Sequence, residues 1–387
     1  MVAHSDTLQR IARLTPLGDV LTLIDALARP VAAQQVPLLN PSPFAGEGRV
    51  GAFGLTLADD VMAEGGRPDH ALAIRDGWAV SSIDIVDASA TAPVPLMPAP
   101  AWLETGDPLP THADAVAPFD AVVWHGSIAE AVAPVVPGDG VLAAGGDAGT
   151  GAVLRSAGMR VRNSDLAALA AAGVANVMVR APRIRVTCAA PPVSMVDAIV
   201  TFIAAAVAAE GGIVLPDADA GADQLDRALR DGDADAVIVI GGTGTGKRDA
   251  SVRALARNGR VAVHGIAISP GETAALGEAG RRPVLLVPAR VDSALAAWLL
   301  LGRPLLARLS GRRDDDAERK YPLARKVSSS LGLTELVPVR RIGDSIEPLA
   351  SGYLSLAALA NADGWILVPP DSEGYPAGAA VTVRPLP

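Results

Sequence analysis

The run from Gly241 to Asp249, GGTGTGKRD, has the residue types of an oxyanion-binding loop. It follows the apolar residues Val237–Ile240, which predict a buried parallel strand, and a helical pattern covers Ala250–Arg257. Glycines let the chain turn sharply with its backbone N–H groups exposed. The helix N-terminus adds further donors and a positive dipole, so the junction suits a phosphate or another oxyanion. The alternative is a tight strand-to-helix turn that binds nothing.

The same residues also match the front of a P-loop, G-x-x-x-x-G-K. However, Arg248 stands where a P-loop has its magnesium-binding Ser or Thr, and Asp249 would bring a carboxylate against the phosphates. A P-loop usually follows the first strand of its domain. Here two strands, Ile184–Cys188 and Gly212–Leu215, are predicted before the loop. The NTPase interpretation is therefore the weaker of the two.

Composition limits the class of protein. A chain of 387 residues predicts two to four domains. The formal charge of −9 argues against a nucleic-acid partner, because phosphate contacts need a basic surface. A lone cysteine, Cys188, excludes an internal disulfide framework, and the five histidines show no metal-ligand spacing. The sequence has no pattern of a membrane span or of a signal peptide, so we expect a soluble cytoplasmic protein without membrane contact.

The loop lies in a region where strands and helices alternate. The predicted helices are Ser194–Glu210, Ala222–Arg230 and Asp292–Leu306, and the strands after the loop are Val261–Ile266 and Val284–Val287. Such alternation predicts parallel βαβ units in a doubly wound sheet, with ligands at the carboxyl ends of the strands. A helix is predicted over residues 15–33. Residues 55–136 and 337–386 have the short apolar runs and turns of small β domains.

Five motifs together resemble one family. The loop has the pattern Gly-Gly-x-x-x-Gly-x-x-Asp, and it is preceded by IRDGWAV at 74–80 and ETGDPLP at 104–110. It is followed by SGYLSLA at 351–357 and ADGWILVP at 362–369. In this order they resemble the signatures of the molybdopterin molybdenumtransferases, the family of MoeA and the gephyrin E domain. The resemblance covers nearly the whole chain.

This resemblance implies a multidomain α/β plus β protein. Its parts would be an elongated discontinuous domain I (residues 1–42 and 137–181), an inserted β-rich domain II (43–136), a molybdopterin-binding-like, doubly wound α/β domain III (182–309) and a small C-terminal β domain IV (318–387). It also implies a homodimer, since family members pair through the first and third domains.

The reaction implied by the resemblance starts from adenylylated molybdopterin and molybdate. It releases AMP and leaves molybdenum, or tungsten, on the pterin dithiolene, with the help of Mg²⁺. The implied catalytic residues are Asp76, Thr105 and Asp249. Asp249 would also hold the metal, together with Asp217 or, as the alternative, Asp219. The residues that would hold the pterin or its phosphate are Gly241, Gly242, Gly244, Gly246, Lys247, Ser269, Pro270, Gly271 and Pro288.

Four segments depart from the family pattern. In one of them, the loop residues 244–248, Lys247 and Arg248 stand where the family more often has an acid before its Asp. TCAAPPV at 187–193 stands in place of S-T-G-D-E-L and lacks its acidic pair. SPGET at 269–273 replaces K-P-G-K-P, which removes two lysines and adds Glu272, and VPARV at 287–291 keeps only the proline of L-P-G-N-P. New cations that could offset the loss are Lys247, Arg248 and Arg290. Two hypotheses follow: a rebuilt transferase site, or a non-catalytic molybdopterin-binding relative that acts as a carrier or maturation partner for a molybdoenzyme or another cofactor-biosynthesis protein.

Overall fold

The computed structural model describes residues 9–39, 51–189, 194–215, 224–247, 249–313 and 318–386. The chain divides into two compact units. Unit 2 comprises residues 60–156 and 164–175, and unit 1 comprises the remainder of the chain.

The helices of the described residues are α1 (Leu17–Leu27), α2 (Asn163–Ala171), α3 (Ser194–Ala209), α4 (Gln224–Arg230), α5 (Ser251–Asn258), α6 (Val291–Ala297), α7 (Arg303–Ser310) and α8 (Leu356–Ala360). The strands are β1 (Gln34–Pro37), β2 (Thr56–Leu57), β3 (Val61–Met62), β4 (Leu72–Ala73), β5 (Gly77–Val80), β6 (Val94–Leu96), β7 (Trp102–Leu103), β8 (Ala115–Ala117), β9 (Val122–His125), β10 (Ile128–Ala131), β11 (Val141–Leu142), β12 (Val153–Arg155), β13 (Asn176–Arg180), β14 (Arg183–Cys188), β15 (Ile213–Leu215), β16 (Ala236–Ile240), β17 (Arg260–His264), β18 (Ile268–Ser269), β19 (Ala275–Ala279), β20 (Arg282–Val287), β21 (Arg319–Pro322), β22 (Val327–Ser328), β23 (Thr334–Ile342), β24 (Ser345–Pro348), β25 (Gly364–Val368), β26 (Gly374–Tyr375) and β27 (Ala380–Pro385).

The main sheet of unit 1 has six strands in the order β15-β14-β16-β20-β19-β17. The first four are parallel to one another, and β19 and β17 continue the sheet antiparallel. From β14 the chain moves outward to β15 and then returns to the other side of β14 as β16. The strand order therefore reverses between β14 and β16. In an open α/β sheet this switch point opens the crevice in which ligands bind.

The apolar run of β16 is buried on both faces of the sheet. Val237 and Val239 pack into one core cluster with Leu255 of α5. Ile238 and Ile240 point the other way, into a larger cluster that also holds residues of α1, α3 and α6. A strand covered by helices on both sides needs apolar residues at every position, because successive side chains point to opposite faces.

Three details of unit 1 differ from the sequence-based prediction. The helix predicted over residues 15–33 ends at Leu27, because Pro30 disfavours the helical conformation of the residue before it, and the chain continues as β1. The helix predicted over Asp292–Leu306 consists of α6, a π-helical turn Trp298–Gly302 and α7. The hairpin strand β19 was not predicted at all, and it makes the sheet mixed rather than purely parallel.

A second six-stranded sheet of unit 1 lies in the C-terminal part of the chain, in the order β18-β23-β25-β27-β21, with β24 paired to β23. Because β18 joins this sheet parallel to β23, Ser269 is held beside Glu335. In unit 2, β5 lies between β7 and β8, and β10 lies between β6 and β9. No helix of the described residues is long and apolar enough to cross a membrane.

Candidate oxyanion-binding site

The glycine loop begins with two residues that need positive φ. Gly241 and Gly242, directly after β16, have φ values of 87° and 69°. A Cβ at Gly242 would lie 2.5 Å from Ser251 Oγ and 2.9 Å from Ala189 Cβ. Sterics and backbone conformation therefore both select glycine here. Because the loop leads from β16 into α5, the predicted strand–loop–helix junction is confirmed.

Four consecutive amides of this loop, those of residues 242–245, donate no hydrogen bond to any residue that the structure describes. The amides on either side are used: that of Gly241 donates to the Val287 carbonyl at 2.7 Å, and that of Gly246 donates to Asp249 Oδ2 at 2.8 Å. Buried backbone donors without an acceptor are uncommon in folded proteins, and of these four residues Thr243 is buried and Gly242 and Gly244 are half-buried. A run of them in a turn forms an anion-binding concavity. The loop can therefore accept a phosphate or a similar oxyanion.

Asp249 closes the loop from its far end. Besides accepting from the Gly246 amide, it donates its own amide to the Gly246 carbonyl at 3.0 Å. A Cβ at Gly244 or Gly246 would lie 2.8 or 2.9 Å from Asp249 Oδ2, so the carboxylate sits against the glycines. Asp249 is half-buried. It thus shapes the loop with one oxygen, which the sequence did not reveal.

Two further predicted segments lie against the loop. The Thr243 and Thr273 hydroxyls are 3.1 Å apart, which joins the loop to the segment Ser269–Thr273. The Val287 carbonyl accepts from the Gly241 amide, and a Cβ at Gly241 would lie 3.3 Å from Ala289 Cβ. The structure therefore brings Ser269, Pro270, Gly271 and Pro288 onto segments that contact the glycine loop.

The predicted cations differ in whether a carboxylate of the described residues already pairs with them. Lys247 is exposed and makes no ion pair within the described part of the chain. Arg290 is engaged elsewhere: its guanidinium donates to both carboxylate oxygens of Asp292, at 3.2 and 2.7 Å, and lies 5.1 Å from the Tyr353 ring centroid. The hydrogen bond to Asp292 raises the pKa of Arg290. Arg248 lies outside the described residues. Lys247 is thus the described loop cation that remains available to a ligand.

Asp76 and Thr105 form a separate pair in unit 2. The pair lies where β5 begins and β7 ends, and these two strands are neighbours in one sheet. Asp76 Oδ1 accepts from the Thr105 amide at 2.7 Å and from the Thr105 hydroxyl at 3.0 Å. The two motifs are therefore joined through these two residues, and the carboxylate of Asp76 is oriented by Thr105.

The predicted metal ligands are only partly described. Asp217 and Asp219 lie outside the described residues, so the choice between them stays open. Among the residues that are described, no group of three or more His, Cys, Asp or Glu side chains could hold a metal ion. Asp249 contributes one carboxylate. Since Mg²⁺ is commonly bound through one or two carboxylates together with substrate phosphates, that arrangement fits a metal that arrives with its substrate.

Several further loop contacts were missed by the sequence analysis. His264 Nε2 donates to the Thr243 carbonyl at 2.8 Å, Ser251 Oγ donates to the Gly241 carbonyl at 2.5 Å, and Thr273 contacts Thr243 as described above. Ser251 could have been found, since a serine in the first turn of a helix commonly bonds nearby backbone. Nothing in the sequence relates His264 to a residue 21 positions before it.

The mixed sheet, with a donor-rich loop where its strand order reverses, defines an α/β domain of the kind that can accept a phosphate-bearing ligand. Comparison with known proteins is more specific. Residues 18–173 match the family model "MoeA N-terminal region (domain I and II)", residues 187–308 match "Probable molybdopterin binding domain", and residues 320–386 match "MoeA C-terminal region (domain IV)". These models follow one another along most of the chain. The chain therefore belongs to the MoeA family, and the predicted multidomain α/β plus β fold is confirmed.

Individual relatives agree with this assignment. Molybdopterin molybdenumtransferases 1 and 2 of Mycobacterium tuberculosis are each 28% identical to this chain, over 404 and 379 residues. Each alignment covers 86% of this chain and 92% of the relative. The crystal structure of a molybdopterin biosynthesis MoeA protein from Pyrococcus horikoshii superposes with a TM-score of 0.73 at 25% identity. The superposition covers 97% of this chain and 100% of the Pyrococcus horikoshii chain.

Proposed function

We propose that this protein inserts molybdenum into adenylylated molybdopterin and releases AMP. The observation that carries the proposal is the glycine loop at the switch point, with four successive amides that have no acceptor among the described residues. A pterin phosphate would supply the missing acceptors. The names of the Mycobacterium tuberculosis relatives support molybdenum transfer as the reaction.

In this proposal the loop glycines 241, 242, 244 and 246 hold the pterin phosphate through backbone amides, with Lys247 as the neighbouring cation. Asp249, together with Asp217 or Asp219, would hold Mg²⁺ at this site. A bound Mg²⁺ would neutralise charge that develops as the phosphate bond breaks. Ser269, Pro270, Gly271 and Pro288 line the same cleft.

Asp76 and Thr105 act at the metal-dependent step in this proposal. Thr105 fixes one oxygen of the Asp76 carboxylate through two hydrogen bonds. A carboxylate held in this way needs little reorganisation when a cation or a substrate hydroxyl reaches its second oxygen. Molybdate is a substrate rather than a resident cofactor.

We further propose that the protein is a cytoplasmic homodimer, as the family resemblance implies. Light scattering at micromolar concentration should give the mass of two chains. The mass of one chain, 39.2 kDa, would contradict the dimer.

The direct test of the function is AMP release by the wild-type protein. Purified protein is incubated anaerobically with adenylylated molybdopterin, Mg²⁺ and molybdate, and AMP is quantified by chromatography. We expect AMP release that depends on both Mg²⁺ and molybdate. Tight pterin binding without AMP release would instead support the carrier hypothesis. Absence of both binding and release would reject a molybdopterin function of either kind.

The charges next to the loop give a second test. Replacing Lys247 by alanine should weaken binding of adenylylated molybdopterin about tenfold, the equivalent of about 1.4 kcal/mol. Glu272 is exposed and accepts from the Gly271 amide at 3.1 Å, so it presents a negative charge beside the cleft. Glu272→Lys should tighten binding, because it removes a like charge, and two like charges about 4 Å apart would repel each other by about 1–4 kcal/mol, depending on the effective dielectric.

Calorimetry at low and physiological salt measures both effects, since exposed charges are screened. Lys320→Ala is the matched control, because Lys320 is an exposed lysine of β21, in a different sheet. If neither loop variant changes the affinity, the cleft does not bind the pterin phosphate.

A further inference from the structure

Gln9 makes four hydrogen bonds around the glycine loop, although it precedes the loop by more than 230 residues. Its Nε2 donates to the carbonyls of Gly242 and Gly244, at 3.1 and 2.8 Å. Its Oε1 accepts from the first-turn amides of α5, those of Val252 and Arg253, at 3.0 and 3.2 Å. Gln9 is buried, with 6% of its surface exposed. Its carboxamide therefore spans from the loop to the helix.

The segment that carries Gln9 is itself anchored to unit 1. Thr15 donates its amide to the Gly265 carbonyl at 3.0 Å and accepts from the Ala267 amide at 2.8 Å. Gly265 has a φ of 92°, and a Cβ there would lie 2.4 Å from Ile11 Cγ2. The segment 9–15 is thus held against Gly265, the residue after His264, which itself contacts the loop.

Every carbonyl from Gly241 to Gly244 is bound by the protein. The first accepts from Ser251 Oγ, the second from Gln9 and the Ser251 amide, the third from His264 and the fourth from Gln9. The four amides that follow these carbonyls, those of residues 242–245, are the ones without an acceptor among described residues. The carbonyls of this loop therefore accept hydrogen bonds from the protein, whereas the amides that follow them have no acceptor among the described residues.

Peptide geometry links the two observations. The peptide bonds of the loop are trans, and in a planar trans peptide the carbonyl oxygen and the following N–H point in opposite directions. A donor that fixes the Gly242 and Gly244 carbonyls consequently directs the Thr243 and Thr245 amides away from that donor. It also keeps carbonyl oxygens, which would repel an anion, on the far side of the loop.

We propose that Gln9 is a positioning residue for the oxyanion site: by holding the Gly242 and Gly244 carbonyls it orients two peptide planes of the loop so that the Thr243 and Thr245 amides face the ligand. This inference rests on the proposed function in taking the ligand to be the pterin phosphate. It also changes the assignment of donors. Since the Gly242 carbonyl accepts from the Ser251 amide, and Gln9 accepts from the next two amides of α5, the anion is bound by the loop amides rather than by the helix N-terminus.

The test compares Gln9→Met with wild type. Methionine has a similar length and no charge, but it cannot make the four hydrogen bonds. We expect affinity for pyrophosphate and for adenylylated molybdopterin, measured by calorimetry, to fall about tenfold or more, because the loop amides lose their orientation. Hydrogen exchange at Val252 and Arg253 should become faster. Gln35→Met is the matched control, because Gln35 is an exposed glutamine on β1, and it should leave both measurements unchanged.

Gln9→Glu separates orientation of the loop from capping of the helix. A carboxylate still accepts from the Val252 and Arg253 amides, so their exchange should stay slow, but it cannot donate to the Gly242 and Gly244 carbonyls. We expect a loss of affinity at least as large as in Gln9→Met. The loss should persist at 0.5 M salt, where the Debye length is between about 3 and 10 Å and long-range charge repulsion is screened. A purely structural cap would leave this variant with wild-type affinity.

The outcomes distinguish this proposal from the proposed function. If Gln9→Met binds pyrophosphate within about twofold of wild type, which is less than about 0.5 kcal/mol, the role of Gln9 is rejected whatever the pterin result. If wild type binds pyrophosphate in a Gln9-dependent way but does not bind the pterin, the role of Gln9 stands and the proposed function is wrong. If wild type binds neither ligand, both are rejected.

Discussion

Replacing Asp249 by asparagine should lower magnesium-dependent AMP release by at least about a hundredfold, the scale on which the loss of one electrostatic group lowers kcat. Asparagine keeps a side-chain oxygen that can accept from the Gly246 amide, as Asp249 Oδ2 does at 2.8 Å. The loop therefore keeps its shape while the negative charge is lost. Mg²⁺ prefers charged oxygen ligands, so the metal-dependent step is the one affected.

Asp249→Ala removes the charge and the loop contact together. We expect it to abolish AMP release and also to weaken pterin binding, whereas Asp249→Asn should leave binding in place. Asp344→Asn is the control, since Asp344 is an exposed acid in the turn between β23 and β24. An asparagine variant with the wild-type rate and an inactive alanine variant would show that Asp249 only shapes the loop.

Glu210→Ala should lower the free energy of unfolding by about 3 kcal/mol or more, as expected when one partner of a buried ion pair is removed. Glu210 follows α3 and is 6% exposed. Its carboxylate contacts Arg303 at 2.8 Å, Arg160 at 3.6 Å and Arg312 at a shorter distance. It thereby ties the end of α3 to the start of α7 and to the segment after α7. Without it three arginines lose their shared counter-charge.

The effect should depend on pH. Burial alone would raise the pKa of Glu210, but Arg312 above all, with Arg303 and Arg160, outweighs burial and holds the pKa below the usual 4.5. A carboxyl group whose pKa is lowered in the folded state contributes stability that is full above the unfolded pKa and is lost as the pH falls through the folded pKa. The difference between wild type and Glu210→Ala should therefore be full at pH 7 and shrink below pH 4.5.

Differential scanning calorimetry across this pH range measures that difference. Glu318→Ala is the matched control: Glu318 pairs with Arg384 at 2.9 Å, but it is exposed, and exposed pairs contribute about 0–1 kcal/mol. Equal destabilisation by both substitutions would contradict a special role for the buried cluster, and so would a Glu210 effect that stays constant down to pH 3.5.

Much of the fold followed from local patterns. The apolar run of β16 indicated a strand buried on both faces, and Val237–Ile240 are divided between two cores as that pattern requires. The glycines after it indicated a sharp turn, and Gly241 and Gly242 have positive φ. Where local chemistry was ambiguous the prediction failed. The strand predicted over Val284–Val287 is found as part of β20, but no turn signal in the sequence led to the prediction of its hairpin partner β19.

The transferase hypothesis rests on Asp76, Thr105 and Asp249, which are in place, whereas the carrier hypothesis rests on the loss of family acids and lysines at 187–193 and 269–273. In the structure, one of the three cations that could compensate for the lost lysines is already paired with a carboxylate. Arg290 is bound to Asp292, so its charge is largely neutralised where it stands. Lys247 keeps its charge free within the described residues, which makes it the more informative position to replace.

The sequence by itself determined the order of motifs, the family, and the position of a donor-rich loop between a strand and a helix, because these depend on residue types and on spacings of a few positions. Only the tertiary structure decided how that loop presents its donors. Gln9, His264 and Ser251 bind the loop carbonyls, and Asp249 turns back onto Gly246. Gln9 contacts residues that lie more than 230 positions further along the chain. These contacts also depend on the orientation of individual peptide planes, and no periodicity or local motif in the sequence encodes either property.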